Sequence, residues 1–281
     1  MEGVNYTNRE SPTMGGIVGT ATNTKISNCT VSGWIESYIT GSKNGEAYIG
    51  GICARALGGT EITGCTNNAY IESAGPTFDR AEADVKVYTG GIAGYVSNDS
   101  KVKTNVVNNG IIYGAYETGG VVAYACGEIS GCTNNADISS SNNFNNTADA
   151  LGGIVGRAHN TSTSKPCTIT NCTNRGQISS YSITRDGYAN LGGIAGKNDG
   201  ATISSCTNDY AVFTYHGSGV GGIVGNNNGG TVQNSINNGI IDYYYNRDNE
   251  FACMGGIAGI NYGGTINECS ADNAVDRKSV V

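Results

Sequence analysis

Apolar positions along this chain come in short runs that alternate with polar ones. Ile, Val, Thr and Tyr dominate the runs, and Gly, Asn and Asp separate them. Alternation near period two, broken every few residues by turn formers, predicts short β-strands. No apolar pattern of helical period persists, and no capping box opens a helix. Strands this short and evenly spaced call for a comparison of the chain with itself.

That comparison shows a phrase recurring eight times, from Gly15, Gly50, Gly90, Gly119, Gly152, Gly192, Gly221 and Gly255, at intervals of 35, 40, 29, 33, 40, 29 and 34 residues. Each copy reads Gly-Gly-Ile or Gly-Gly-Val, a small apolar residue, then Gly or Ala. A second phrase follows, as in Ile169-Thr170-Asn171-Cys172-Thr173-Asn174. Its Cys position, the anchor, holds Cys29, Cys65, Val106, Cys132, Cys172, Cys206, Ser235 and Cys269. Three residues before the anchor stands Ile or Val in seven copies, with Lys103 the exception. Six residues after it stands Ile35, Ile71, Ile112, Ile138, Ile178, Val212, Ile241 or Val275.

The pattern predicts three strands per repeat: the Gly-Gly-Ile strand, the anchor strand and the Ile strand. That is one coil of a parallel β-solenoid, and the whole chain 1–281 becomes a single all-β array of about eight coils. At about 4.8 Å per coil the rod is roughly 40 Å long. Two residues past the anchor, Asn67, Asn108, Asn134, Asn174, Asn208 and Asn237 are placed to stack as an amide ladder. Gly33, Gly110, Gly176 and Gly239, two residues further, suit a positive φ. Gly3-Val4-Asn5-Tyr6 reads as the third strand of a preceding coil, and no amphipathic cap follows Val275. A slice of a longer protein, monomeric by itself, is therefore expected.

The Gly-Gly-Ile-Val-Gly openings (Gly15–Gly19, Gly152–Gly156, Gly221–Gly225) with the Ile-x-Asn-Cys-Thr phrase (Ile26–Thr30, Ile169–Thr173) resemble the GLUG-motif repeats of bacterial surface proteins. The resemblance spans nearly the whole chain. It implies a β-helical segment of a secreted adhesin or of a large surface protein, with an extracellular or cell-surface location and no active-site residues to carry over.

Composition narrows the function classes. The 281 residues include 44 Gly but only 3 Pro, without the triplet period of collagen. Net charge is −7, so the basic footprint of a nucleic-acid binder is missing. No stretch is long and apolar enough for a membrane-spanning helix. Six of the ten Cys share the anchor position, which predicts a ladder of buried free thiols. Cys53, Cys126, Cys167 and Cys253 stand apart and leave room for a disulfide. Zinc spacing is missing, with no C-x-x-C and only His159 and His216, both read as loop residues. No metal or cofactor is expected.

Carboxylates offer one route to chemistry. After the third-strand Ile come Glu36, Glu72, Tyr113, Ser139, Ser179, Phe213, Asp242 and Asp276, so Glu36 and Glu72 are neighbours one coil apart, as are Asp242 and Asp276. Such pairs suit a glycosidase or polysaccharide lyase, but a solvated outer face explains them more simply. The acidic segment Asp79–Asp84 could bind a cation but is more simply a solvated loop or short helix.

Tyrosine is the stronger lead, with 17 Tyr against 4 Phe and one Trp. Tyr carries apolar area with a polar tip and suits contact surfaces. Tyr243, Tyr244, Tyr245, Tyr113 and Tyr116 are the candidate binding residues. The insertions 36–49, 72–89, 139–151, 179–191 and 242–254 stack along one edge, where a ligand surface is expected. The resulting expectation is an adhesin or stalk segment that projects, or binds a host glycan or surface protein, with no chemistry of its own. A carbohydrate-active enzyme is the alternative.

Overall fold

Equivalent residues of successive repeats lie side by side, and the strand pairs are parallel and almost everywhere in register. The structure, a computed structural model, describes residues 4–8, 12–39, 45–74, 86–140, 150–180, 189–215, 217–245, 252–272 and 275–279. These form a parallel β-solenoid of eight coils. Four sheets run along it, of 8, 8, 14 and 9 strands. The first holds the strands that end at the Gly-Gly pair, from Thr13–Gly15 to Cys253–Gly255; the second follows the pair, from Val18–Thr22 to Ala258–Tyr262. The third carries the anchor, and the fourth runs from Val4–Asn8 to Val275–Ser279. Val4–Asn8 pairs with Trp34–Ile39, as expected of a preceding third strand.

The three expected strands are present, and a fourth precedes them: residues such as Glu46–Gly50 and Lys86–Gly90, expected largely in the insertions, form a strand that bends at the glycines into the next. The bend is a matter of space. A Cβ on Gly91 would lie 2.2 Å from the Gly120 carbonyl oxygen and 2.6 Å from the Asn108 side chain. The two signatures of the repeat, Gly-Gly and Asn, thus touch one another across the coil.

The core falls into two clusters. One lies between the second and third sheets and takes Ile52, Ile92, Ile154 and Ile194 of the Gly-Gly-Ile phrase with the anchor thiols. The other joins the first and fourth sheets through Ile49, Leu151 and Ile71. Each such Ile is fully buried and contributes about 2 kcal/mol. Leu191, Ile194 and Ala195 all face inward because the chain turns between them.

The amide ladder forms as the spacing predicts. Each Nδ2 donates to the next Oδ1 at 2.8 Å from Asn67 through Asn108, Asn134, Asn174 and Asn208 to Asn237. The second Nδ2 hydrogen goes to the carbonyl two residues on, for example Asn134 to Ala136 at 2.8 Å. A shorter ladder that the repeat comparison missed runs from Asn198 through Asn227 to Asn261 at 2.9 and 2.7 Å.

Two readings need correction. Of the four turn glycines, only Gly33 has a positive φ (105°). A Cβ on Gly110 or Gly176 would lie 1.8 Å from the carbonyl oxygen of Ala69 or Ala136, so these glycines serve the close approach of coils. The left-handed position lies instead just before the anchor, at Asn28, Gly64, Gly131, Asn171, Ser205, Asn234 and Glu268. The Lys103 exception also disappears. Thr104 and Asn105 both take positive φ and absorb one extra residue, so that Val102 occupies the rung between Ile62 and Ile129.

All ten cysteines are free thiols, and Cys65, Cys132, Cys172 and Cys206 are buried in the anchor ladder. No helix among the described residues is long and apolar enough to cross a membrane.

Candidate functional site

Beside the Gly-Gly bend, two rows of outward side chains converge. The row on the second sheet is Thr20, Arg55, Tyr95, Tyr124, Arg157, Lys197, Asn226 and Ile260, one per coil and in register. The row on the first sheet is Thr13, Tyr48, Tyr88, Glu117, Ala150, Asn190, Gly219 and Cys253. Side chains of the two rows touch from Tyr48 to Arg157, so over these coils the corner is re-entrant and forms a groove.

In the first half of the groove, tyrosines fill it. Tyr48 stacks on Tyr88 with centroids 5.0 Å apart, and Tyr95 on Tyr124 at 5.7 Å. Across the groove Tyr48 meets Tyr95 edge-on at 5.9 Å, and Tyr88 meets Tyr124 at 5.6 Å. Arg55 lies over the Tyr48 ring and Arg157 over Tyr124, at 5.0 and 5.7 Å. Such contacts add about 0.5–1.5 kcal/mol each to the area buried. Burial pushes the hydroxyls of Tyr48, Tyr88 and Tyr124 well above the ordinary range, and that of Tyr95 to about 12. The Glu46 carboxylate adds to this at Tyr48, and Glu117 at Tyr88.

The tyrosine filling ends at a charge cluster. The Glu117 side chain is fully buried, and Arg157 Nη1 lies 3.4 Å from its Oε1. Arg157 Nε donates to Asp199 Oδ2 at 2.6 Å. Desolvation works against the guanidinium charge, but the Glu117 and Asp199 carboxylates outweigh it and hold Arg157 ionised beyond its usual range.

Past Arg157 the first-sheet row continues as Ala150, Asn190 and Gly219, all buried, and a hollow of about 380 Å³ lies on the outer face of the second sheet. Arg157, Lys197 and Asp199 line one end, Asn226 and Asn228 the middle, and Ile260 and Tyr262 the other end. The run Asn226-Asn227-Asn228 alternates: Asn227 turns inward into its ladder while its neighbours face the hollow. Asn228 Nδ2 donates to Asp199 Oδ1 at 3.2 Å. The Asn226 Oδ1 atom is buried and has no hydrogen-bond partner. The Tyr262 ring is 76% exposed.

The candidate tyrosines from the sequence do not gather. Tyr116 packs edge-on to Tyr88 at 6.0 Å and belongs to the filled half. Tyr113 sits on the fourth sheet, 5.7 Å from Tyr70. Tyr243 is only 3% exposed, turned inward by strand alternation, so it offers no contact surface. Tyr244 and Tyr245 continue the strand Ile241–Tyr245, but their side chains lie outside the described residues. So do 79–84, His216 and most of the expected insertion edge.

Glu36 and Glu72 are neighbours as expected, as are Asp242 and Asp276. Tyr70 donates its hydroxyl to Glu72 at 2.9 Å. His159 is the last residue of strand Val155–His159, not a loop residue, and its Nδ1 meets the Tyr124 hydroxyl. The hollow was legible in principle: its wall is the sixth residue of each Gly-Gly copy, read down the repeats. Reading the tyrosines by local clustering passed over it.

Comparison with known families matches the GLUG motif to residues 11–36 and 147–179. No curated protein and no solved structure matches the chain.

Proposed function

Since the chain is a GLUG-repeat protein, we propose that it is a secreted or cell-surface segment of a bacterial adhesin that projects from the surface and binds a host glycan or protein, without chemistry of its own. The observation that carries this reading is the hollow beyond Arg157, where the outer face of the second sheet leaves room for a ligand. Its walls are rigid for a physical reason. Asn226 and Asn228 flank a residue tied into a buried amide ladder, and strands on both sides are locked in register. A preorganised wall loses little freedom on binding.

The absence of chemistry rests on the ionisable groups. In the groove, the carboxylates of Glu117 and Asp199 are both engaged by Arg157 rather than facing one another across a gap.

The test is Asn226→Tyr, which extends the Tyr95 and Tyr124 row into the hollow. Adhesion of beads coated with this variant to host cells is expected to fall at least about tenfold relative to wild type, a change of about 1.4 kcal/mol. Unchanged adhesion overturns the assignment of the hollow. Incubation with polysaccharides is expected to release no reducing ends or unsaturated products. Turnover that disappears in Asp199→Asn overturns the non-catalytic reading.

A further inference from the structure

Resting on that reading, we infer that the occupant of the hollow is an uncharged saccharide of one or two rings. Size sets the first limit: about 380 Å³ lies near the lower end of small-ligand sites, too little for a folded epitope.

Charge sets the second. Arg157 is paired with Glu117 and Asp199, and Lys197 lines the hollow beside them, so two cations and two carboxylates stand together before any ligand arrives. Arg157 is held on both sides by carboxylates, at 3.4 and 2.6 Å. An acidic sugar would have to compete with them for the guanidinium, while its own carboxylate approached that of Asp199.

Hydrogen bonding sets the third. The buried Asn226 Oδ1 without a partner is an acceptor and calls for a donor. A sugar hydroxyl donates and accepts together and so meets this need, while the paired charges at Arg157 select the neutral sugars among saccharides. Asp199 provides a second acceptor beside it, and the Asn228 amide carries both a donor and an acceptor group.

At the far end the exposed Tyr262 ring and Ile260 offer a flat apolar face. The C–H face of a pyranose matches that surface, with its hydroxyls turned toward the asparagines. A peptide ligand would find only this small apolar patch on which to anchor.

The experiment uses the full chain with labelled Asn side chains, titrated with maltotriose and chitotriose and, separately, with trigalacturonate and sialyllactose, at low and high salt. The neutral sugars are expected to shift the Asn226 and Asn228 amide signals, with an affinity that salt leaves unchanged. Asn226→Ala is expected to weaken this about tenfold with the melting temperature unchanged, and Tyr262→Ala to weaken it in the same way. Shifts produced only by the acidic sugars and abolished by salt overturn the neutral-saccharide inference and leave the hollow as a binding site. If a host surface protein moves these signals and neither sugar class does, the saccharide inference fails alone. If nothing that the chain adheres to moves them, both readings fail.

Discussion

From Tyr48 to Arg157 side chains fill a groove between the first and second sheets, whereas from Arg157 to Tyr262 a hollow lies on the outer face of the second sheet, although the strands beneath run on in register. Both halves have the Gly-Gly bend, the amide ladder and the buried Ile rungs. What differs is the outer face of the second sheet: Tyr95 and Tyr124 give way to Arg157, Lys197 and Asn226, which with Asp199, Asn228 and Tyr262 line the hollow. In a solenoid the backbone is set by in-register stacking, so the outward side chains of the second sheet decide where space is left. Glu117 and Arg157 mark the border, and their ion pair closes the filled side.

The contrast depends on a scaffold common to both halves, and the largest effect should come from breaking it. Asn134→Ala leaves Asn108 Nδ2 and Asn174 Oδ1 buried without their ladder partner. Losing these two buried bonds, together with those between Asn134 and Ala136, should cost about 4 kcal/mol. Denaturant unfolding should show both halves lost in one transition; a cost below about 1 kcal/mol would mean that the ladder is not what unites them.

Emptying the filled half is the next largest change. Tyr88 is only 6% exposed, and Tyr88→Ala should cost about 3 kcal/mol while opening a second hollow. Denaturation measures the cost. Saccharide binding confined to the original hollow would show that space alone does not make a site.

Moving the border has a smaller effect. Glu117→Gln removes one of the two carboxylates on Arg157 and should cost about 2 kcal/mol. The hollow then gains a net positive charge, so acidic saccharides should bind in a salt-dependent way that the wild type does not show.

The gentlest probe is alkali. The Tyr95 hydroxyl is held neutral up to about 12 against an ordinary 10.0, chiefly by burial and then by Cys126. Its stabilising contribution is complete below the ordinary value and is lost as pH rises through about 12. Tyr48, Tyr88 and Tyr124 are shifted in the same direction. Phenolate absorbance should therefore rise late and together with melting of the filled half. Early ionisation of these tyrosines in the folded chain would show that this half is open to water.

Much of the fold was legible because a parallel stack places each residue against its own counterpart. A repeat that positions Cys132 and Cys172 alike also positions them in contact, and the same holds for Asn134 and Asn174. The inserted residue at Thr104 and Asn105 escaped notice because a bulge changes the count without changing the rung. Tyr243 looked like a contact residue because its cluster with Tyr244 and Tyr245 says nothing about which of the three turns inward.

The sequence alone therefore determined the coil, its rungs and its ladders, since these contacts join equivalent positions and the period specifies them. Only the tertiary structure decided that the two outer rows converge from Tyr48 to Arg157 and where the outer face of the second sheet leaves space. Glu117 and Arg157 are 40 residues apart and occupy different positions of the repeat. They meet because the chain bends at Gly-Gly, and the angle of that bend is set by packing across the coil, which no period along the chain records.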